Sequence, residues 1–340
     1  MPDATLMTEV HRGPFLESRH AGHAVIANLS GVLEAWGDPD AVILPRSSVK
    51  MIQALPLVAS GAAREAGLGS EQLALACASH NGAAIHTGRV AAWLDSLGMG
   101  EAELRCGPQM PDDREAKFAL IRAHEQPSQI HNNCSGKHAG MLTLARHLGA
   151  GPDYVAPDHP VQRACRSAFE EVTGEPSPGY GIDGCSVPNF ATRLSALARA
   201  MAWFATAEQR ADSASRAAAE LVAAMMAHPD LVAGEGRACT ELMRAAGGRA
   251  AIKTGAEGVF TAILPEMGLG IALKIADGAT RASECAMAAL LVRLGVLEAG
   301  DPAVRRRMDA PIRNRRGIET GSIRPADALR APATTRSAAP

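Results

Sequence analysis

Residues 251–276 read AIKTGAEGVFTAILPEMGLGIALKIA. Three short apolar runs, 251–254, 258–264 and 270–276, are separated by glycine or proline, the punctuation of strands and tight turns. Upstream the pattern differs. Segments 70–77, 86–97, 113–125, 135–148, 160–173, 189–207, 213–227 and 235–246 are alanine-rich and carry helical spacing. Glycine and proline clusters divide them, as at 174–184. A further helix is expected over 280–294. Strand character also marks the beginning of the chain. Residues 23–29 and 32–36 flank Ser30-Gly31 as a hairpin, and 41–44 is a third short run stopped by Pro45. Ser47 or Ser48 is then an N-cap for a helix reaching Gly61, with a kink at Pro56 where a backbone donor is missing.

Strands at both ends with helices between them predict an α/β protein of the α+β kind. One antiparallel sheet is built from both termini, and a helical subdomain is inserted. The expected boundaries are a single catalytic unit over 1–325. Its sheet subdomain covers about 8–50 and 248–325, and its helical subdomain about 51–247. Residues 326–340 are expected to be a disordered tail. The segment 304–340 holds nine arginines against three acidic residues, which reads as a solvated face.

The 340 residues are 47% hydrophobic and 21% charged, ordinary material for a sizeable core. With 34 basic and 36 acidic side chains, no net field recruits nucleic acid or an anionic membrane. Only 3% of residues are aromatic, too few for base-stacking platforms. No stretch reaches the roughly 18 apolar residues of a membrane span. The N-terminal residues lack a basic segment followed by an apolar one, so the expected location is cytoplasmic. Seven scattered cysteines suit reduced thiols rather than a disulfide framework.

Ser47-Ser48-Val49-Lys50 places Ser47 and Lys50 three residues apart, on one helix face. A serine hydroxyl becomes nucleophilic when a base takes its proton, and a neutral lysine amine is such a base. Taken alone, this pattern reads as an N-cap serine and a solvated lysine rather than a catalytic pair. Ser79-His80-Asn81-Gly82 reads alone as a turn, and Lys253-Thr254-Gly255 as a strand end. In chain order, however, S-x-x-K, S-x-N and K-T-G form the motif set of serine β-lactamases and penicillin-binding proteins. That order points to acyl transfer with two Ser/Lys pairs, Ser47 with Lys50 and Ser79 with Lys253. The block His131-Asn132-Asn133-Cys134-Ser135-Gly136-Lys137-His138 and the later Asp183-Gly184-Cys185 form a fourth candidate. Cys-x-x-Lys with a distant cysteine is not a standard zinc spacing, and His138 and Asp183 read on their own as satisfied polar residues.

Taken together, these stretches resemble the rhizobial-type L-asparaginase II family, distinct from the threonine-nucleophile asparaginases. The resemblance is carried by Arg12-Gly13, Glu17-Ser18, 45–50, 79–82, Cys106-Gly107-Pro108, 131–141, 159–162, 181–186, 253–258 and 270–274. It covers about 8–325 and implies a terminal strand within 314–325. It implies a serine β-lactamase/glutaminase-like fold, a homodimer, and hydrolysis of L-asparagine to L-aspartate and ammonia. By position it implies Ser47 as nucleophile with Lys50, and Ser79 with Lys253 as the second pair. It implies zinc on Cys134, Lys137 and Cys185. Arg46, His80, His138, Asp183 and Gly255 take substrate-binding places. Two positions depart from the family pattern. Ala83 stands where an acidic residue often follows Ser-His-x-Gly, and Gln109 where histidine often follows Cys-Gly-Pro. The rival readings are a serine-dependent glutaminase, a β-lactam or D-amino-acid peptide hydrolase, and a non-catalytic zinc-binding protein.

Overall fold

The structure, a computed structural model, describes residues 3–330. The chain opens with β1 (Thr5–Arg12), β2 (Phe15–Asn28), β3 (Gly31–Trp36) and β4 (Val42–Ile43). Seven helices follow: α1 (Lys50–Ala59), α2 (Ala62–Glu65), α3 (Ser70–Ala76), α4 (Ala84–Ser96), α5 (Arg114–Ala123), α6 (Ser135–His147) and α7 (Pro160–Thr173). Three short strands come next, β5 (Tyr180–Ile182), β6 (Pro188–Phe190) and β7 (Thr192–Arg193). Then come α8 (Leu194–Ala205), α9 (Ser213–Ala227), α10 (Pro229–Val232) and α11 (Ala238–Ala246). The chain returns through β8 (Ala251–Thr254), β9 (Val259–Leu264), β10 (Leu269–Ile275) and α12 (Thr280–Arg293). It closes with α13 (Pro302–Arg305), β11 (Ala310–Arg313), β12 (Glu319–Pro325) and α14 (Asp327–Arg330).

Eight strands form one antiparallel sheet in the order β11-β12-β1-β2-β10-β9-β8, with β3 also paired to β2. All come from residues before 37 or after 250, so the two chain ends build the sheet and the helices are inserted between them. β2 is the organiser. Its first half pairs with β1, and its second half lies between β3 and β10. Ala24, Val25, Ile26 and Ala27 are all buried, because both faces of the sheet are covered there. One cover is α8, which packs on β2 and β10; the other is α12, which packs on β1 and β12. The α8 contact is made at backbone distance. A Cβ on Gly270 would lie 2.1 Å from Ala198 O, so only glycine fits at that position in β10.

In the inserted segment, α1 is the central helix, packed against α6, α7 and α9. Lys50, Met51, Ile52, Ala54, Leu55 and Leu57 are buried, so it shows no solvent stripe over most of its length. Pro56 lies inside this helix, which runs on to Ala59.

Several expectations are corrected. The segment 189–207 begins as strands, because Thr192 pairs with Ile43 in a small β4–β7 sheet; the helix starts at Leu194. The helix expected from 235 starts at Ala238, since Gly236 sits at φ +77. The segment 174–184 holds β5, which pairs with β6. β1 was not anticipated. Ordered chain also continues past 325. Ala326 N–H donates to Met7 O at 2.8 Å and Leu329 is fully buried, so burial and pairing hold 326–330 in place. The rest of the expected tail, 331–340, lies outside the described residues.

Candidate active site

The site is assembled where the turn before α1, the loop after α3, the start of α6, the β5–β6 hairpin and the end of β8 meet. Ser47 lies on a 3-10 turn, Arg46–Val49, that feeds directly into α1. Arg46 holds φ +54, an uncommon left-handed conformation for a side-chain-bearing residue. The turn is pinned to the sheet. Thr261 Oγ1 donates to Ser48 O at 3.1 Å and shares itself with Lys253 O at 3.2 Å. Gly255 makes the approach possible, since a Cβ there would lie 2.7 Å from Pro45 O. Its own N–H donates to Val259 O at 2.7 Å. Gly255, expected to bind substrate, is therefore seen in a packing role between strand and turn.

Of the two expected Ser/Lys pairs, one is hydrogen-bonded. Lys253 Nζ lies 2.8 Å from Ser79 Oγ, and both residues are buried. Burial, reinforced by the positive charge of Lys50, pushes the Lys253 amine down to about 7. Lys50 is 1% exposed, and its ammonium donates to Ala78 O and, at 3.5 Å, to Asn133 O. No hydrogen bond joins it to Ser47 among the described residues. Ser47 itself is half-buried, the more open of the two serines.

Arg46 Nη2 and Nε donate to Asp183 Oδ1 at 2.8 and 3.1 Å. Burial opposes ionisation of Asp183, but Arg46, the Gly184 N–H and Lys137 together hold its carboxyl below the usual range. This pair ties the Ser47 turn to the β5–β6 hairpin. The Arg46 N–H adds a bond to Asn189 Oδ1 at 3.3 Å.

Cys134, Lys137 and Cys185 converge and are all buried. Cys134 precedes α6 and Lys137 lies on its first turn. Lys137 Nζ is 3.0 Å from Cys185 Sγ. Sharing a proton with Cys185, with Lys50 and Lys137 nearby, pushes the Cys134 thiol well down despite burial; the Cys185 thiol is pushed up by the same sharing and by burial. Burial favours a neutral Lys137, but Cys185 and Cys134 overcome it and raise the amine. The set fits a zinc ion by its donors, two sulfurs and one nitrogen at one buried point. Binding requires the ion to displace the proton from Lys137. Among the described residues no group of three or more histidine, cysteine or carboxylate side chains gathers for a metal; here the third donor is an amine.

The two histidines differ. Gly82 N–H donates to His80 Nδ1 at 3.1 Å, so Nε2 carries the proton and donates to Ser135 Oγ at 2.9 Å. His80, expected to bind substrate, thus has both nitrogens engaged by protein. Tyr154 OH accepts from Arg105 N at 2.9 Å and so donates to His138 Nδ1 at 2.8 Å. The remaining His138 Nε2–H is buried and has no partner among the described residues. Burial keeps both rings neutral, with pKa values well below the usual histidine range.

Sequence reasoning missed three contributors, and assigned no role to Asn133 within the 131–138 block. Asn133 O accepts from both His80 N and Lys50 Nζ. Thr261, Tyr154 and His86 were not singled out. Tyr154 is one of only two tyrosines in the chain, and that scarcity was a usable signal. The unusual Gln109 finds a place here, its Oε1 accepting from Asn133 N at 3.2 Å. Among the described residues no helix is long and apolar enough to cross a membrane.

The L-asparaginase II family model matches residues 8–325. No curated protein gives a significant match. Among solved structures, the chain is similar to a protein named Mglu in its tris and glutamate form, at 13% identity and TM-score 0.49. That match covers 81% of this chain, which spans 59% of the length of Mglu. The native form of Mglu matches at 13% identity and TM-score 0.45, over 83% of this chain and 66% of that one. A β-lactamase from Mycobacterium bovis matches at 12% identity and TM-score 0.34, over 80% of this chain and 94% of that one.

Proposed function

The chain belongs to the L-asparaginase II family, and from that premise we propose that it hydrolyses the side-chain amide of L-asparagine to L-aspartate and ammonia through a Ser/Lys acyl-enzyme. The observation that carries this reading is the 2.8 Å bond between Ser79 Oγ and a Lys253 amine whose pKa lies near 7. A lysine tuned to that value accepts a proton at neutral pH and returns it within one cycle.

In this reading Ser47 attacks the carboxamide carbon. Its position fits the role: it is more open than Ser79 and has no side-chain partner among the described residues. Its proton passes to the Ser79/Lys253 pair, the one expected Ser/Lys pair joined by a hydrogen bond among the described residues. The tetrahedral intermediate collapses, the C–N bond breaks, and the pair's proton leaves with ammonia. Water then adds to the ester carbon and gives its proton to the pair. Breaking the ester C–O bond returns a proton to Ser47 and frees aspartate.

His138 Nε2–H is a buried donor without a protein partner among the described residues, and Asp183 binds Arg46 next to Ser47 on the turn. Zinc on Cys134, Lys137 and Cys185 would supply a fixed positive centre for an oxygen of the substrate.

The test is turnover of L-asparagine against L-glutamine, followed by mass spectrometry of enzyme quenched during turnover. The expected result is faster asparagine hydrolysis and a transient aspartyl ester on Ser47. An ester found on Ser79 assigns attack to that residue. Absence of hydrolysis of either amide ends the proposal.

A further inference from the structure

His86 lies outside the reacting groups, is fully buried, and carries a nitrogen, Nδ1, with no partner among the described residues. An orphaned buried polar atom carries a desolvation cost that an aliphatic side chain avoids. Packing alone therefore does not explain a histidine here. Its ring stacks flat on His80, with centroids 4.7 Å apart and planes within 7°. Its other nitrogen, Nε2, donates to Asp230 O at 2.9 Å.

The connections around this stack form a closed frame. Asp230 lies in α10, and Val232 O at the end of that helix accepts the Ser79 N–H at 2.9 Å. His80 N–H donates to Asn133 O at 3.1 Å, and its ring reaches Ser135 at the start of α6. Ser135 passes the chain on to Ile130 O at 2.9 Å. The serine that meets Lys253 is thereby held from both sides, through α10 and through α6, and the two imidazoles join the halves.

We propose that the stacked His80–His86 pair is a positioning device that fixes Ser79 at hydrogen-bonding distance from Lys253. His86 anchors it, and neither ring contacts substrate. Burial keeps both rings neutral. His131, Lys50 and Arg237 stand toward His80, and Asp230 and Asp113 toward His86. The role of the pair in turnover rests on the amidohydrolase reading above; its role in geometry does not.

The experiment uses the full chain and three variants. His86→Ala removes both stack and donor, His86→Gln restores a donor, and Ser135→Ala removes the acceptor for His80 with little change in volume. Misplacing a reacting group by about 1 Å costs on the order of 100-fold in rate. We expect His86→Ala to lose kcat by about 10- to 100-fold with KM within about twofold. His86→Gln should recover part of that loss, and Ser135→Ala, which leaves the buried His80 Nε2–H without an acceptor, should lower kcat by more than its fall in Tm accounts for. Crystal structures of the variants read the Ser79 Oγ–Lys253 Nζ separation without any turnover, and it should exceed 3.5 Å in His86→Ala. If wild-type enzyme hydrolyses no amide, the functional reading fails, and this separation alone decides the positioning role. Unchanged kcat and separation in all variants overturn the proposal. A loss of kcat that only follows the fall in Tm overturns it too. If His86→Ala does not fold, Ser135→Ala decides.

Discussion

Ser79 and Lys253, 174 residues apart in sequence, share a 2.8 Å hydrogen bond between hydroxyl and amine. Ser79 comes from the loop that follows α3, Lys253 from a sheet strand, so the bond closes the helical insertion onto the sheet. Removing either end removes the proton carrier. Ser79→Ala and Lys253→Met should each lower kcat for amide hydrolysis on the order of 10²–10⁴-fold, with the fold intact by circular dichroism. Activity within about threefold of wild type in either variant would remove the pair from the mechanism.

The pH dependence of turnover follows from Lys253. As a base it works when neutral, and its pKa is about 7. kcat/KM should rise from pH 6 and level off above about 8, measured with ammonia detection in constant-ionic-strength buffers. A profile that falls across this interval contradicts the assignment.

The same depressed pKa has a stability consequence. Below about 7 the lysine is charged in both folded and unfolded chains, so folding carries the full burden of burying the charge. Between about 7 and its unfolded value near 10.4, the unfolded chain binds more protons, and stability rises with pH. Lys253→Met abolishes this contribution. The stability difference, variant minus wild type, should therefore be most positive near pH 6 and decline toward pH 9 in urea titrations.

The Arg46–Asp183 pair is partly exposed, and its bond lengths are those of a charge-assisted contact. A double-mutant cycle with Arg46→Ala and Asp183→Asn should give a coupling of about 1 kcal/mol, reduced by solvent screening. The Asp183 contribution is present above its unfolded pKa and disappears as pH falls through the lower folded one. Coupling indistinguishable from zero at low salt would mean that the hairpin is held to the Ser47 turn by other contacts.

Cys134→Ser, Cys185→Ser and Lys137→Ala should each reduce zinc stoichiometry after equilibrium dialysis, and zinc uptake by the wild type should release protons into unbuffered solution. Full stoichiometry in all three variants would move the metal elsewhere.

Ala83 begins α4 with an extended N-cap conformation and no side-chain acceptor. Ala83→Asp supplies one, and should add about 1 kcal/mol to unfolding stability. No gain would show that the first-turn donors already have partners, as the His86 N–H does in Ala83 O at 2.9 Å.

Much of this architecture was readable in the chain. The runs at 251–276 became three strands with shifts of about one residue, because glycine and proline mark their ends locally. The hairpin about Ser30-Gly31 was equally local. What escaped was non-local. β1 has no strong alternation of its own and is a strand through pairing with β2 and β12. The alanine-rich spacing of 189–207 predicts helix across β6 and β7, yet Thr192 and Asn189 are held by β4 and Arg46. The convergence of Ser79 with Lys253 followed from motif order. The occupation of Lys50 by carbonyl oxygens, and of both His80 nitrogens by protein groups, did not, because sequence carries no record of which acceptor a buried donor finds. Tyr154 and His86 act through tertiary contacts that no spacing announces.

β1 pairs with β12 from Thr8–Pro325 to Arg12–Gly321. Such distant partners make this a slow, high-contact-order step. On the ribosome, the helical insertion is made long before the strand that completes the sheet. Until residues 319–325 emerge, one side of β1 stays open to pairing with foreign strands.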